Sequence, residues 1–361
     1  MKLHLKNQEN DDKLVALLDL AKKYPNNIQN IQVDPCVRFV YAPKPLVENV
    51  VEECCKPTSK SIFSLDTTFN IGPFYVTPTV YSKKGVISNA TGNTAIFPGP
   101  AMFHEKRTNR EFFYFACTLT EICRKFLDIR FVGGDRDGAT RSFLTFLFSA
   151  TFLPCTKHVV DDIIRECKEV LKLSSVADKY IVDIFGSASE KLRGLIDAES
   201  SEQFETQLNL ASKDWDDKFI EYFEQNIKQD IITGMLMPLR QYLGIDRYYN
   251  NGEECNNFKY KNLIKEYYVK KYGNCRRNHF NLRLDEATEI YHDLVRQHRV
   301  DLALSIIGKG SYTLVGDLAK LKLSTTTWDR YTPAQRRRHL AKLDLYYSDN
   351  SVVDATCLNS S

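Results

Sequence analysis

Three acidic residues stand where an α/β fold would bring them together. Asp66 follows an apolar run at residues 61–65, Asp135 follows another at residues 128–132, and Glu254 opens a helical pattern. If the two runs are neighbouring parallel strands, both aspartates leave the same edge of the sheet. Carboxylates held close together repel each other unless a cation lies between them, and Mg²⁺ prefers oxygen ligands. We therefore expect the three carboxyl groups to converge within about 8 Å around two metal ions, an arrangement that cleaves phosphodiesters.

Each of the last two acids has a neighbour that could take its place. Asp137 lies in the same loop as Asp135, and Glu253 precedes Glu254. An aspartate after a strand often caps a loop, and an acidic residue in the first turn of a helix is favoured by the helix dipole. The residues alone therefore leave open the choice between neighbours and a purely structural role.

Short apolar runs alternate with helical patterns around these acids. Strands are predicted at residues 61–65, 74–81, 94–97, 128–132 and 151–155. Helices are predicted at residues 107–126, 138–150 and 159–171. Strands that alternate with helices indicate an α/β fold, here a mixed five-stranded sheet flanked by helices.

The strand signals vanish after residue 172, and several helical patterns follow one another up to about residue 242. This stretch predicts an all-helical insertion before the helix that carries Glu254. The predicted organisation is a lead-in region, a first part of the catalytic core, the insertion, the last core helix and a helical tail, at residues 1–58, 59–172, 173–250, 251–272 and 273–361.

Four further polar residues lie close in sequence to the predicted strand and helix ends. Cys155 and His158 have the spacing of half a zinc site, and no CxxC pair completes it. Cysteine is often a core residue, and histidine often hydrogen-bonds at the start of a helix, so a structural role is favoured over DNA placement. His104 is interpreted in the same way. Asn257 shares a helix face with Glu254, three residues away.

Basic and aromatic residues alternate along the helix that begins near Glu254. Such a face could follow DNA phosphates, or it could be an amphipathic helix with solvated lysines and packed tyrosines. Both interpretations stay open for the basic residues Lys259, Lys261, Lys265, Arg276 and Arg277.

The composition sets broad limits on the class of protein. The chain has 361 residues, 43% hydrophobic residues and a net charge of +3, so charge alone neither favours nor excludes nucleic acid. No apolar run approaches the roughly 20 residues of a membrane span, and the N-terminus has no signal core. We expect a cytosolic or nuclear protein whose ten cysteines are mostly free thiols.

Five short strings, taken in order, resemble the catalytic domain of Mutator-like element transposases. They are Asp66-Thr-Thr-Phe69, Gly99-Pro-Ala-Met-Phe-His104, Asp135-Arg-Asp137, Cys155-Thr-Lys-His158 and Glu254-Cys-Asn-Asn257. The resemblance covers residues 35–270. The third string matches the family's Asp-Gly-Glu pattern only loosely, and Cys255 stands where the family has serine.

This resemblance implies an RNase H-like fold and a DDE triad of Asp66, Asp135 and Glu254. The spacing to Cys155 selects Asp135 over Asp137, and the Glu-x-x-Asn pattern selects Glu254 over Glu253. It also implies two Mg²⁺ or Mn²⁺ ions, double-stranded DNA as substrate, at least a dimer when active, and a nuclear site of action.

Three alternatives remain at this point. The first is a domesticated or truncated transposase that binds DNA without transposing it. The second is an RNase H-like nuclease without strand transfer, and the third is an α/β interaction protein whose acids cap loops. The zinc-containing modules usual in the family are not visible in the sequence, so recognition of element ends by this chain stays open. The presence of all three acids favours an intact site, and the insertion and the Cys-x-x-His pair favour a transposase over a nuclease.

Overall fold

The computed structural model describes residues 15–67, 71–138, 140–141, 143, 150–273 and 282–343. Within these ranges eight strands form one mixed sheet, in the order β1-β2-β5-β4-β3-β6-β7 with β8 paired to β4. The strands are β1 Ile28–Gln32, β2 Arg38–Tyr41, β3 Phe63–Leu65, β4 Tyr75–Ser88, β5 Thr94–His104, β6 Phe131–Gly134, β7 Thr151–Pro154 and β8 Tyr312–Leu314.

The direction of the strands changes at β3. Strands β3, β4 and β5 form an antiparallel meander, and β1 and β2 extend it on the far side. Strand β6 pairs with β3 in parallel, and β7 pairs with β6 in parallel. Parallel neighbours need long crossover connections, which helical segments supply here. The three parallel strands therefore end at one edge of the sheet.

Helices cover the sheet and form a separate block after β7. Those in the first two thirds of the chain are α1 Lys44–Cys54, α2 Asn109–Ile122, α3 Thr156–Arg165, α4 Ala177–Phe185, α5 Ser201–Ala211, α6 Asp217–Asn226, α7 Lys228–Gly234 and α8 Met237–Leu243. The later ones are α9 Asn251–Tyr272, α10 Leu284–Leu304, α11 Thr325–Arg330 and α12 Pro333–Ala341. None of the described helices is both long and apolar enough to cross a membrane.

Alternate side chains of the strands belong to two cores, one on each face of the sheet. On β2, Val40 belongs to the core that α1 and α2 cover, whereas Phe39 and Tyr41 belong to the core under α9 and α10. The predicted apolar stripe of α9 is confirmed, since Tyr260 and Ile264 are fully buried in the second core. This packing fixes α9 against the sheet.

The prediction of five strands is wrong, because eight are present among the described residues. The lead-in region supplies β1 and β2, and β2 pairs with β5. The tail supplies β8, whose three residues are too few for an alternating pattern. Strands β4 and β5 also run past their predicted ends, and their pairing continues across a bulge between Pro78 and Val80.

The helical insertion has its own core, which rests on α3. Val159 and Ile163 of α3 pack with aromatic residues of α4 and α6. Trp215 is buried in this core and donates a hydrogen bond from Nε1 to Asp183 (2.8 Å). The insertion ends in two short helices, α7 and α8, with Pro238 in the first turn of α8.

Candidate functional site

Parallel pairing of β3 with β6 brings Asp66 and Asp135 to the same edge of the sheet. Ser64 is in register with Gly133, and each aspartate directly follows its strand. The two carboxyl groups are close enough for the charge of Asp135 to raise the pKa of Asp66. The sequence-based expectation that the two strands are parallel neighbours is confirmed.

Burial and like charge act together on Asp66. Burial is the larger cause and Asp135 the second, and together they raise the pKa of Asp66 to about 6. Hydrogen bonds from the Thr67 backbone and from Asn257, with the charge of Arg107, oppose this increase. An ionised Asp66 therefore carries an electrostatic cost that a bound cation would relieve.

The surroundings of Asp135 act in the same sense. Burial raises its pKa, and the charges of Asp137 and Glu254 add to the increase. The charges of His158 and Arg107 lower it. Both neighbouring aspartates thus hold protons more tightly than a free aspartic acid does.

Helix α9 brings the third predicted acid and an amide to this edge. Asn257 donates from Nδ2 to Oδ2 of Asp66 (2.8 Å). Glu254 is close enough to raise the pKa of Asp135, but its side chain is 46% exposed and lies 3.7 Å from Nζ of Lys157. The site therefore combines two partly buried aspartates with a more exposed glutamate at its rim.

Cys155 is linked to Asp135 through Asn250, and His158 lies directly against the Asp135 carboxylate. The Cys155 thiol donates to Oδ1 of Asn250 (3.3 Å), and Asn250 donates from Nδ2 to Oδ1 of Asp135 (3.0 Å). His158 Nδ1 lies 2.8 Å from the same oxygen, although its direction is poor for a hydrogen bond. The Cys-x-x-His pair thus lies around Asp135, with Cys155 linked to it through Asn250 and His158 against its carboxylate.

Asn250 is a functional residue that sequence reasoning missed. It precedes α9, where an asparagine is ordinarily taken as a helix cap, but it makes no side-chain cap. The signal in the sequence was the string Asn250-Asn-Gly, which begins four residues before Glu254. Its amide instead joins Cys155 to Asp135, as a positioning contact.

Asp137, the competitor of Asp135, has a structural role of its own. Its Oδ1 accepts a hydrogen bond from the Thr140 backbone N–H (2.8 Å), the pattern of a helix cap, and its Oδ2 pairs with Arg107. Arg136 lies between Asp135 and Asp137 in the chain, and its guanidinium nitrogens lie 2.7 Å from the Asp230 carboxylate and 2.9 Å from the Asp162 carboxylate. The loop after β6 is therefore held to the segment before α2 by Asp137, and to α3 and the helical insertion by Arg136.

Glycine is required beside Asp135. A Cβ atom on Gly133 would lie 2.2 Å from the Tyr248 ring, so a side chain there would displace that ring. The Tyr248 hydroxyl donates to Oγ of Ser64 (3.0 Å), and its carbonyl accepts from the Thr156 N–H (2.9 Å). Tyr248 thus ties the segment before α9 to β3 and α3, on either side of the aspartates.

His104 lies in the interior, with both ring nitrogens in use. Nδ1 is 2.6 Å from the Lys106 carbonyl, and Nε2 is 2.8 Å from Oγ1 of Thr77, which is 2.9 Å from Oγ1 of Thr67. Burial lowers the pKa of His104 to about 4, so the ring is neutral at pH 7. These contacts favour the structural interpretation, because no ring nitrogen is left for DNA.

The three basic residues predicted on α9 are exposed there: Lys259, Lys261 and Lys265. Lys261 follows Asn257 by four residues and so continues the face that holds Glu254 and Asn257. Exposure meets the first requirement for contact with DNA phosphates, and it is equally a property of a solvated face. Arg276 and Arg277 lie outside the described residues.

The carboxylates do not form a ready-made metal centre. No three of the described His, Cys, Asp and Glu side chains are arranged to hold a metal ion. Amide donors occupy oxygens of Asp66 and Asp135 instead. The chemistry of the donors still fits a hard cation, since these are neighbouring oxygen ligands whose raised pKa values a divalent cation would lower.

Comparison of the chain with protein-family models, with curated proteins and with solved structures found no match. The description of the site therefore depends on its geometry. That geometry unites Asp66, Asp135, Glu254, Asn257, Cys155 and His158 at one edge of the sheet, and it places His104 in the interior behind Asp66.

Proposed function

We propose that this chain is the catalytic domain of a DNA transposase of the Mutator-like kind, with an RNase H-like fold. The observation that carries the proposal is the parallel pairing of β3 with β6, which sets Asp66 beside Asp135. Strand ends on an open α/β sheet are the usual place for reacting groups. Cleavage of DNA would occur at this edge.

The order of the central strands supports the RNase H-like fold. Strands β3, β4 and β5 are an antiparallel meander, and β6 and β7 lie on the other side of β3, parallel to it. The strands β1, β2 and β8 extend this unit at its antiparallel side. The all-helical insertion between α3 and α9 supports the Mutator-like assignment, because the resemblance expects it before the last catalytic helix.

In the proposed reaction Asp66, Asp135 and Glu254 hold two Mg²⁺ or Mn²⁺ ions. When bound, such ions lower the pKa of the attacking water or hydroxyl and neutralise charge that develops on the phosphate. Asn257 and Asn250 fix the carboxyl groups of the two aspartates. Water would first hydrolyse a phosphodiester at the element end, which leaves a 3′-hydroxyl and a 5′-phosphate. That 3′-hydroxyl would then attack a phosphodiester of target DNA and displace its 3′-oxygen.

The partners follow from the same proposal. The substrate is double-stranded DNA, both as element ends and as target, and the exposed lysines of α9 would contact its phosphates. Joining two ends requires at least two copies of the chain, and the nucleus is the place where such DNA is found.

The test is cleavage of a labelled duplex with candidate element ends in Mg²⁺ or Mn²⁺, followed by transfer to a plasmid. We expect nicking by the native chain and none by Asp135→Asn. Asp137→Asn is the matched control, since it removes a neighbouring charge that caps a helix. It should retain cleavage.

Three other outcomes would contradict parts of the proposal. DNA binding without cleavage by any variant would indicate the domesticated or truncated protein. Cleavage without transfer would indicate a nuclease, and loss of cleavage in Asp137→Asn with activity in Asp135→Asn would move the triad to the neighbouring acid.

A further inference from the structure

A cavity of about 560 Å³ lies beside the carboxylate site, between the β4–β5 hairpin and the chain from Leu243 to Lys259. This volume falls within the range of about 300–1,000 Å³ that small-ligand sites occupy. Helix α9 separates the two places. Asn257 donates to Asp66, whereas its neighbour Asn256 lines the cavity. The proposed cleavage reaction has no role for this cavity.

Two buried polar side chains that line the cavity lack partners among the described residues. Neither atom of the Asn256 amide has a hydrogen bond, although the residue is 4% exposed. His298 is 5% exposed, and its Nδ1 is 2.5 Å from the Tyr312 hydroxyl, while its Nε2 has no partner. Buried groups of this kind are costly and uncommon, so each needs an explanation. A ligand with a polar edge would supply one.

Positive charge collects around the same cavity. Four cationic side chains line it in the described part of the chain: Lys60, Lys84, Arg247 and Lys259. Asp246 also lines it, but its carboxylate is 3.4 Å from Arg240. Burial lowers the pKa of Lys84, and the charge of Lys60 lowers it further, as expected where cations crowd together. An anionic group would relieve this crowding.

Apolar and aromatic side chains also contribute to the lining, among them Ile96, Tyr81 and Tyr248. Flat aromatic and aliphatic surfaces suit the face of a planar ring. The lining therefore offers three kinds of contact, namely polar groups without partners among the described residues, apolar or aromatic surfaces, and cationic side chains. One ligand class has a matching part for each.

We propose that this cavity binds one nucleotide unit. The base edge would pair with the Asn256 amide and with Nε2 of His298, and the phosphate would lie on Lys84 and Lys60. An amide presents a donor and an acceptor side by side, the pattern by which asparagine pairs with a base edge. The unit is either a free nucleotide or an unpaired nucleotide of a DNA strand. This site goes beyond the proposed cleavage and does not depend on it.

The test measures binding of the four deoxynucleoside 5′-monophosphates to the full chain by calorimetry. Each titration uses Asp135→Asn in EDTA, so that DNA cleavage is no part of the readout. We expect saturable binding of at least one nucleotide, at one site per chain. Asn256→Leu should weaken that binding at least tenfold while the thermal midpoint stays equal or rises, because the change removes an unpartnered amide.

A second variant and two DNA probes complete the test. Lys84→Ala, at an exposed position, should weaken binding of the nucleoside monophosphate more than binding of the matching nucleoside. If a duplex with a single-stranded overhang binds more tightly than a blunt duplex, and Asn256→Leu abolishes that difference, the ligand is an unpaired nucleotide of a DNA strand. Nucleotide binding without that difference identifies a free nucleotide. No saturable binding of any of the four, or equal binding by Asn256→Leu, overturns the proposal.

Discussion

Two neighbouring asparagines of α9 have opposite surroundings. Asn257 donates to a carboxylate of the candidate active site at 2.8 Å. Asn256, one residue earlier and similarly buried, has no partner among the described residues and lines a cavity. The helix rotates by about 100° per residue, so adjacent residues face different neighbours. On one side of α9 the Asn257 amide is satisfied within the protein, and on the other the Asn256 amide has no partner among the described residues.

This difference separates positioning from binding. On the carboxylate side, Asn257 and Asn250 hold Asp66 and Asp135 in place before any ligand is bound. Preorganised groups of that kind are what catalysis of phosphodiester chemistry needs. On the cavity side the unpaired Asn256 amide costs stability unless a ligand pairs with it. Four predictions test this contrast, in order of decreasing effect.

The largest effect is expected on the carboxylate side. Glu254→Gln should lower the rate of duplex cleavage by more than about a hundredfold. Loss of a residue that hydrogen-bonds to a metal ligand costs about 10–100-fold, and loss of the ligand itself should cost more. The measurement is the initial rate of nicking in Mg²⁺ and in Mn²⁺. Glu266→Gln is the control, since it is an exposed glutamate on the same helix. If Glu254→Gln keeps a tenth of the rate or more, the glutamate at the rim is not a ligand.

The second prediction concerns the pH dependence of stability in EDTA. A carboxyl whose pKa is raised in the folded chain favours folding at low pH, and this contribution is lost as the pH rises from about 4 to the folded value of about 6. Asp66→Asn does not titrate. Relative to the native chain, the free energy of unfolding of this variant should therefore increase across this pH range, by up to about 3 kcal/mol at pH 7.

Urea unfolding of both chains between pH 4 and 8 checks this. The difference should be small near pH 4, where Asp66 is protonated, and Mg²⁺ should narrow it at pH 7 by stabilising the ionised carboxylate. A difference that is independent of pH would show that Asp66 ionises as freely in the folded chain as in the unfolded one.

Sequence reasoning succeeded where chemistry coincides with an element boundary. Asp66 and Asp135 could be placed together because each follows an apolar run, and parallel strands end at one edge. The stripe of α9 and the helical block were likewise visible, since their apolar residues recur at helical spacing. These features depend on short stretches of chain.

Features that depend on contacts between distant segments could not be predicted from the sequence. Strand β8 and the strand pair β1–β2 join the sheet through pairings that no local pattern specifies. The contact of Cys155 with Asn250 spans 95 residues, and the cavity combines Lys60, Asn256 and His298 from separate elements. The burial of His104 also depends on three strands and not on its own string. Such contacts follow from tertiary packing.

The third prediction compares the two asparagines directly. Asn257→Leu should lower the free energy of unfolding by about 1–3 kcal/mol at pH 7, because Asp66 loses one of its donors. Asn256→Leu, the same change one residue away, should raise it by about 1 kcal/mol, because an unpartnered buried amide is removed. Denaturant unfolding in EDTA measures both. Equal losses in the two variants would mean that Asn256 is as well satisfied as Asn257.

The smallest effect is expected from the exposed lysines that continue the carboxylate side of α9. If Lys261 and Lys265 contact DNA phosphates, each change to alanine should make the slope of log affinity against log salt about one unit shallower for a blunt duplex. Lys218→Ala, an equally exposed lysine of the helical insertion, removes the same charge elsewhere and should leave the slope unchanged. Fluorescence anisotropy over a salt series provides these slopes. Identical slopes in all three variants would show that the lysines beside Glu254 and Asn257 are a solvated face, and the duplex would then have to approach the carboxylates from another side.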